Sequence, residues 1–228
     1  MNTWLDGNRA AFDVETTGRD PRQARLVSAS IVLVDANNDV VESHEWLADP
    51  GVEIPEAVTL IHGISTARAR AEGAPIGAVV TEVAQVLRSY FAAGTPVMAF
   101  NAPYDFTVLA AECARIGVSA PTAFPVIDPF VLDKQVDGFR RGKRTLVAIC
   151  EHYNIPLIDA HTSAADALAT IKLAEALARR FPELSIPAEE LHAQQIVWAA
   201  EQAASFQEYL RRTQADAVVD GLWPQGQL

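Results

Sequence analysis

Three apolar runs follow one another closely near the N-terminus, and they constrain the fold more than any other feature of the sequence. Residues 9–14 form a short run, residues 25–34 a longer one with partial alternation, and residues 40–47 a third. The links between them, Gly18-Arg19-Asp20-Pro21 and residues 35–39, carry turn chemistry. Connections this short join neighbours in space, so the segment predicts three consecutive strands in an antiparallel meander. Beyond it the pattern changes. Helical periodicity over 76–91 precedes a compact apolar strand at 95–100, and a helix over 104–116 precedes a short strand at 125–127. Further helices are predicted over 145–153 and 163–181. A meander followed by alternating helices and strands predicts an α/β fold, a mixed five-stranded sheet flanked by helices.

Residues 182–187, with a proline at each end, mark the one boundary. The main domain is therefore expected over 1–184 and a C-terminal helical extension over 185–228. The extension reads as one long helix over 188–212, with Ile196, Ala199, Ala203, Phe206 and Leu210 on a single stripe. That stripe is expected to pack on the main domain, with a homodimer or partner contact as the alternative. Half of the 228 residues are hydrophobic and 21% are charged, so a packed core is expected rather than disorder. No uncharged apolar run is long enough to cross a bilayer. No export signal is visible at the N-terminus, and Cys113 and Cys150 are too few for a disulfide framework. A cytoplasmic protein with reduced thiols is the expectation.

Four carboxylates and a histidine stand out. In Phe12-Asp13-Val14-Glu15-Thr16-Thr17-Gly18, side chains two apart on a strand share a face, so Asp13 and Glu15 lie side by side. Adjacent like charges cost stability unless a cation sits between them, and carboxylate oxygens are the hard ligands that Mg²⁺ or Mn²⁺ takes. Asp105, in Asn101-Ala102-Pro103-Tyr104-Asp105-Phe106, falls in the first turn of a helix, where an acid also complements the helix dipole. In His161-Thr162-Ser163-Ala164-Ala165-Asp166, Ser163 reads as an N-cap and Asp166 as its capping-box partner. Each element alone has a structural explanation.

Taken in order, D-x-E on the first strand, N-x-x-x-D after a later strand and H-x-x-x-x-D opening a helix resemble the DEDDh family of 3′–5′ exonucleases. That family includes the proofreading epsilon subunit of bacterial DNA polymerase III. Leu60-Ile61-His62-Gly63-Ile64-Ser65 is similar to the family's His-Gly-Ile segment. The resemblance implies a ribonuclease H-like fold and hydrolysis with two divalent cations, Mg²⁺ or Mn²⁺. Asp13, Glu15 and Asp166 would hold one ion, Asp13 would bridge to a second, and Asp105 would reach the second through water. His161, five residues before Asp166, would be the general base, since an imidazole accepts a proton near neutral pH. Relatives with Tyr in this role place it four residues before the Asp, where this chain has Thr162.

Substrate contacts follow from the same resemblance. Backbone amides near Thr16 and Thr17 are candidates to hold the terminal 3′-hydroxyl and phosphate, and His62 to wall the nucleotide pocket. Phe106 is a candidate to stack on a base, with core packing the alternative, and Asn101 either bonds near the site or caps the helix. The net charge of −11 argues against simple coating of nucleic acid. Bound cations and one basic cluster, Arg140, Arg141, Lys143 and Arg144, are the compensating devices. The expected partner is a DNA 3′ end. A DNA polymerase III complex is a further possible partner, although no Gln-led clamp-binding motif is present. Three rivals stand beside this reading: an exoribonuclease on the same residues, a catalytically silent binding module, and a mononucleotide phosphatase.

Overall fold

The computed structural model describes residues 2–157 and 162–228. The expected meander is present as β1 (Arg9–Thr16), β2 (Leu26–Val34) and β3 (Val40–Asp49), with β2 antiparallel to both neighbours. Two short helices follow, α1 (Glu56–His62) and α2 (Thr66–Glu72), then β4 (Ala74–Pro75) and α3 (Ile76–Ala92). The αβα portion continues as β5 (Val97–Met98), α4 (Ala102–Ile116), β6 (Val126–Ile127), α5 (Pro129–Val136) and α6 (Leu146–His152). It ends with α7 (Ser163–Arg180) and α8 (Ala188–Arg211). The sheet order is β4-β3-β2-β1-β5-β6, and β5 and β6 run parallel to β1.

The sheet therefore has six strands rather than five. β4 pairs with β3 through only two exposed residues, too short to show a period, and its proline is tolerated because the strand lies at the sheet edge. The chain reaches that edge through Gly73. A Cβ there would lie 2.6 Å from backbone atoms of Ala48 and Asp49, well inside van der Waals contact. Gly73→Ala is accordingly expected to cost about 1–3 kcal/mol through forced backbone displacement, read as a lower melting temperature in thermal denaturation.

β2 is buried along its whole length, so both faces of the sheet are covered at that strand, while much of β3 is exposed. On one face Phe12, Val14 and Ile31 pack against α3 and α4 through Val83, Leu87, Phe106 and Leu109. On the other, Ala11, Val32 and Met98 pack against α6 and α7 through Ile149, Ile171 and Leu177. Alternation along β1 thus aims Asp13 and Glu15 to the α7 side, together with Ala11. The start of β1 is locked to α7 by a buried ion pair, Arg9 Nη2 to Glu175 Oε1 at 2.6 Å, with Arg9 also donating to the carbonyls of Gly7 and Asp35. This joint fixes the spacing between the strand of Asp13 and the helix of Asp166.

α8 packs on α5 and β6, and only part of the stripe expected from sequence takes part, with Ala199 against the core. Ile196 and Phe206 are exposed, while Leu191, His192 and Gln195 are buried. The polar pair decides the helix rotation. His192 Nδ1 accepts from the Val126 amide at 3.0 Å, and Gln195 Oε1 accepts from the Asp128 amide at 2.7 Å. A count of apolar spacing passes over such residues. No helix among the described residues is long and apolar enough to cross a membrane.

Candidate active site

Asp13 and Glu15 project from the C-terminal half of β1, opposite Ser30 and Ser28 of β2. α7 begins directly above them. Its N-cap is Thr162, not Ser163, so Ser163 is the first helical residue and Asp166 lies beyond the capping-box position. The Ser163 hydroxyl pairs with that of buried Ser30 at 2.7 Å, which pins the helix start to the sheet. The capping-box explanation of Asp166 therefore falls. Instead, one carboxylate oxygen each of Asp13, Glu15 and Asp166 lie within 4.8 Å of one another.

Asp105 sits in the first turn of α4, buried, and its Oδ1 accepts from the Val14 amide at 3.1 Å. That bond crosses from the helix to the strand between Asp13 and Glu15, so the fourth acid adjoins the group without joining its closest set. His161 lies outside the described residues, and its place in the site rests on sequence alone.

The electrostatics follow from this crowding. Burial, then the charges of Asp105, Asp166 and Glu15, pushes the Asp13 carboxyl well above the usual carboxylate range. Burial and Asp166 push Glu15 up to about 7. Burial raises Asp105 as well, against the opposing pull of the Val14 amide. Carboxylates this close cannot all ionise together unless a cation joins them. Hard oxygen donors at this spacing suit a small divalent cation such as Mg²⁺ or Mn²⁺.

The remaining residues around the site, singled out from sequence or not, divide into three groups. His62 is buried, its Nδ1 accepts from the Ile64 amide at 3.1 Å, and burial lowers its pKa. With Glu15, Ser28, Trp46 and Ser163 it lines a cleft of about 560 Å³, ample for a nucleotide. Arg141 and Lys143 are exposed.

A second group is committed elsewhere. Phe106 is buried between Phe12 and Phe91, with ring centroids at 5.5 and 6.2 Å, so it belongs to the core and cannot stack on a base. The Thr17 amide donates to the Arg25 carbonyl at 3.0 Å, while at Thr16 it is the hydroxyl, not the amide, that donates to the Gly18 carbonyl, at 2.8 Å. Arg140 and Arg144 both turn onto the buried carboxylate of Asp133, the first at 3.0 Å, which Tyr153 also donates to. Half of the basic cluster thus neutralises an internal acid. A run of arginines read from sequence does not reveal the carboxylate waiting beneath it.

The third group was missed. The Tyr104 hydroxyl donates to the Gly18 carbonyl and meets the Thr16 hydroxyl, which secures the turn after β1. Asp128, wholly buried at the end of β6, accepts from the amides of Asn101 and Ala102 at the start of α4. The helical backbone start at Asn101 has φ 63°, and its side chain makes no cap, so the cap arrives from Asp128 instead. The sequence signal existed: Asp128-Pro129 is the N-cap and first helical residue of α5.

Comparison with known proteins places this arrangement. A DNA polymerase III subunit epsilon-like protein of Rhodobacter capsulatus is 32% identical over 179 residues, 76% of this chain and 23% of the relative. Escherichia coli exonuclease I in complex with a dT13 oligonucleotide superposes with a TM-score of 0.68 at 21% identity, covering 78% of this chain and 42% of that one. Its zinc-bound complex with single-stranded DNA gives 0.67 at 20% identity, over the same shares. At such identity the structural likeness speaks for the fold, and the chain spans less than half the length of each of these proteins. The Exonuclease (RNase T) family model matches residues 10–174. That match runs from the strand of Asp13 and Glu15 through the helix of Asp166, and the chain belongs to this family, the DEDDh-type exonucleases of the ribonuclease H-like superfamily.

Proposed function

We propose that this chain is a 3′–5′ exonuclease that uses two divalent cations to release nucleoside 5′-monophosphates from the 3′ ends of DNA. The carrying observation is the trio Asp13, Glu15 and Asp166, brought within 4.8 Å from two elements beside the cleft of Glu15 and His62. In this reading Asp13, Glu15 and Asp166 would hold one ion, and Asp13 and Asp105 would serve the second. The ions supply charge neutralisation at the scissile phosphate and stabilise the developing negative charge of the reaction.

The protein groups divide the rest. His161 takes the proton of the attacking water on a ring nitrogen as the water oxygen bonds to phosphorus. The bond from phosphorus to the preceding 3′-oxygen breaks, that oxygen is protonated, and the terminal nucleotide departs as a 5′-monophosphate. His62, kept neutral by burial, walls the nucleotide cleft without adding charge. Arg141 and Lys143 meet the phosphates upstream of the cleaved end, while Arg140 and Arg144 set the loop that carries them. Cys113 and Cys150, both buried and free, fit a reducing cytoplasm.

Parallel digestion of a 2′-deoxy and a ribo-oligonucleotide of identical sequence, with Mg²⁺ or Mn²⁺, tests this. The deoxy strand should shorten from its 3′ end with 5′-monophosphates as product. Shortening of RNA alone would make the enzyme an exoribonuclease, and inorganic phosphate as the sole product would make it a phosphatase. Assembly with a DNA polymerase III complex is a second reading, favoured by the epsilon-like relative. Co-purification with polymerase subunits tests it.

A further inference from the structure

The proposed catalytic scheme leaves Asp128 and the C-terminal segment unused, although both reach the helix that carries Asp105. The two oxygens of Asp128 each take one amide from the start of α4, Asn101 on Oδ1 and Ala102 on Oδ2, both at 2.9 Å. Oδ1 also accepts from the Phe130 amide at 3.0 Å, at the start of α5. Oδ2 accepts from the indole of Trp223 at 3.2 Å. Four N–H donors therefore surround a carboxylate that is 0% exposed. Burying a charge in this way is sustained only by such a complete set of donors.

The C-terminal segment is fastened at two points, through Trp223 on Asp128 and His192 and through Gly226 on α4 itself. Trp223 is buried, with its ring against that of His192 at 4.9 Å. Three residues later the Gly226 amide donates to the Thr107 hydroxyl of α4 at 2.8 Å. A Cβ at Gly226 would crowd that hydroxyl at 3.2 Å, so the approach suits glycine. Between these fixed points stands Asp105, three residues after Ala102 and two before Thr107, with the Val14 amide on its Oδ1.

We propose that Asp128 and the segment Trp223–Gly226 form a clasp that positions Asp105 in the carboxylate centre, which makes the C-terminal tail a working part of the active site. Asp128 and Trp223 are positioning residues in this scheme, since neither lines the cleft of Glu15 and His62. The helix start at Asn101 lacks a cap of its own and takes its direction from Asp128. Loosening the clasp lets the first turn of α4 shift, and Asp105 shifts with it. The inference rests on the assignment of Asp105 to the ion site.

The test compares Trp223→Phe, which keeps the buried ring and removes one donor, with Asp128→Asn, which turns an acceptor into a donor facing N–H groups. Mn²⁺ affinity is measured by calorimetry without substrate, kcat and KM are measured on a deoxy-oligonucleotide, and thermal melts report folding. Asp128→Asn is expected to weaken Mn²⁺ binding and lower kcat about 10- to 100-fold, with Trp223→Phe smaller in both. KM for the oligonucleotide should stay near wild type, and raised Mn²⁺ should restore part of kcat. Cooperative melting with wild-type Mn²⁺ affinity and kcat in Asp128→Asn overturns the clasp. If that variant fails to fold, unchanged Mn²⁺ affinity and kcat in Trp223→Phe overturn it. A wild-type protein that binds Mn²⁺ but degrades no oligonucleotide refutes the exonuclease reading instead, and the Mn²⁺ comparison still decides the clasp.

Discussion

Asp13→Asn folds, melts at a higher temperature than the wild type when both are free of divalent metal near neutral pH, and hydrolyses its substrate on the order of 10³-fold more slowly or worse. The two effects share one cause. Asp13 stands among Asp105, Asp166 and Glu15, each of which raises its pKa, so its charge is a source of repulsion in the metal-free protein. Asparagine keeps the shape of the side chain and removes that charge, which relieves the folded state. The same charge is what two cations would share, and losing it removes about 4 kcal/mol or more of transition-state stabilisation. Calorimetry of both proteins in chelator, beside steady-state rates in Mn²⁺, reads both quantities. A variant that is less stable without metal, or that retains wild-type turnover, contradicts the role given to Asp13.

The legible and illegible parts of this centre differ in where their information lies. Asp13 and Glu15 are legible because a strand period places them on one face, and the burial of Phe12 and Val14 on the opposite face follows the same rule. Asp105 is legible as an acid in a first helical turn after an apolar strand. Asp166 is found at the right place for the wrong local reason: the N-cap of its helix is Thr162, and Ser163 is spent on Ser30 across 133 residues of sequence. Partners that distant leave no periodic trace. The bond between Asp128 and Trp223, across 95 residues, hides for that reason. The Asp133 carboxylate that claims Arg140 and Arg144 lies only 7 and 11 residues away and hides for a different reason: the loop between them shows no period. The sixth strand hides for another, since two residues cannot display an alternation.

The stability of the metal-free protein is expected to fall as pH rises from about 5 to about 7, and divalent metal is expected to remove that fall near neutrality. A glutamate carboxyl ordinarily titrates at 4.5, and in the fold burial and Asp166 push Glu15 up to about 7. Between those values the native protein holds a proton that the unfolded chain has released, so stability falls through that window and levels above it. The displacement corresponds to about 3 kcal/mol for Glu15. Asp13 and Asp105, also raised, steepen the loss from the lower end of the range. Cations bind only the deprotonated carboxylates, so Mn²⁺ stabilises most where the metal-free protein is weakest. Asp128 marks the limit of that rescue: burial pushes it up to about 6, but its oxygens face four N–H donors and not the ion site. A residual slope on the acid side should therefore persist in saturating Mn²⁺, while the slope near neutrality flattens. Melting temperatures across this range, with chelator and with Mn²⁺, decide the matter. A metal-free melting temperature that climbs with pH contradicts the crowded carboxylates, and a profile indifferent to Mn²⁺ contradicts their use as an ion site.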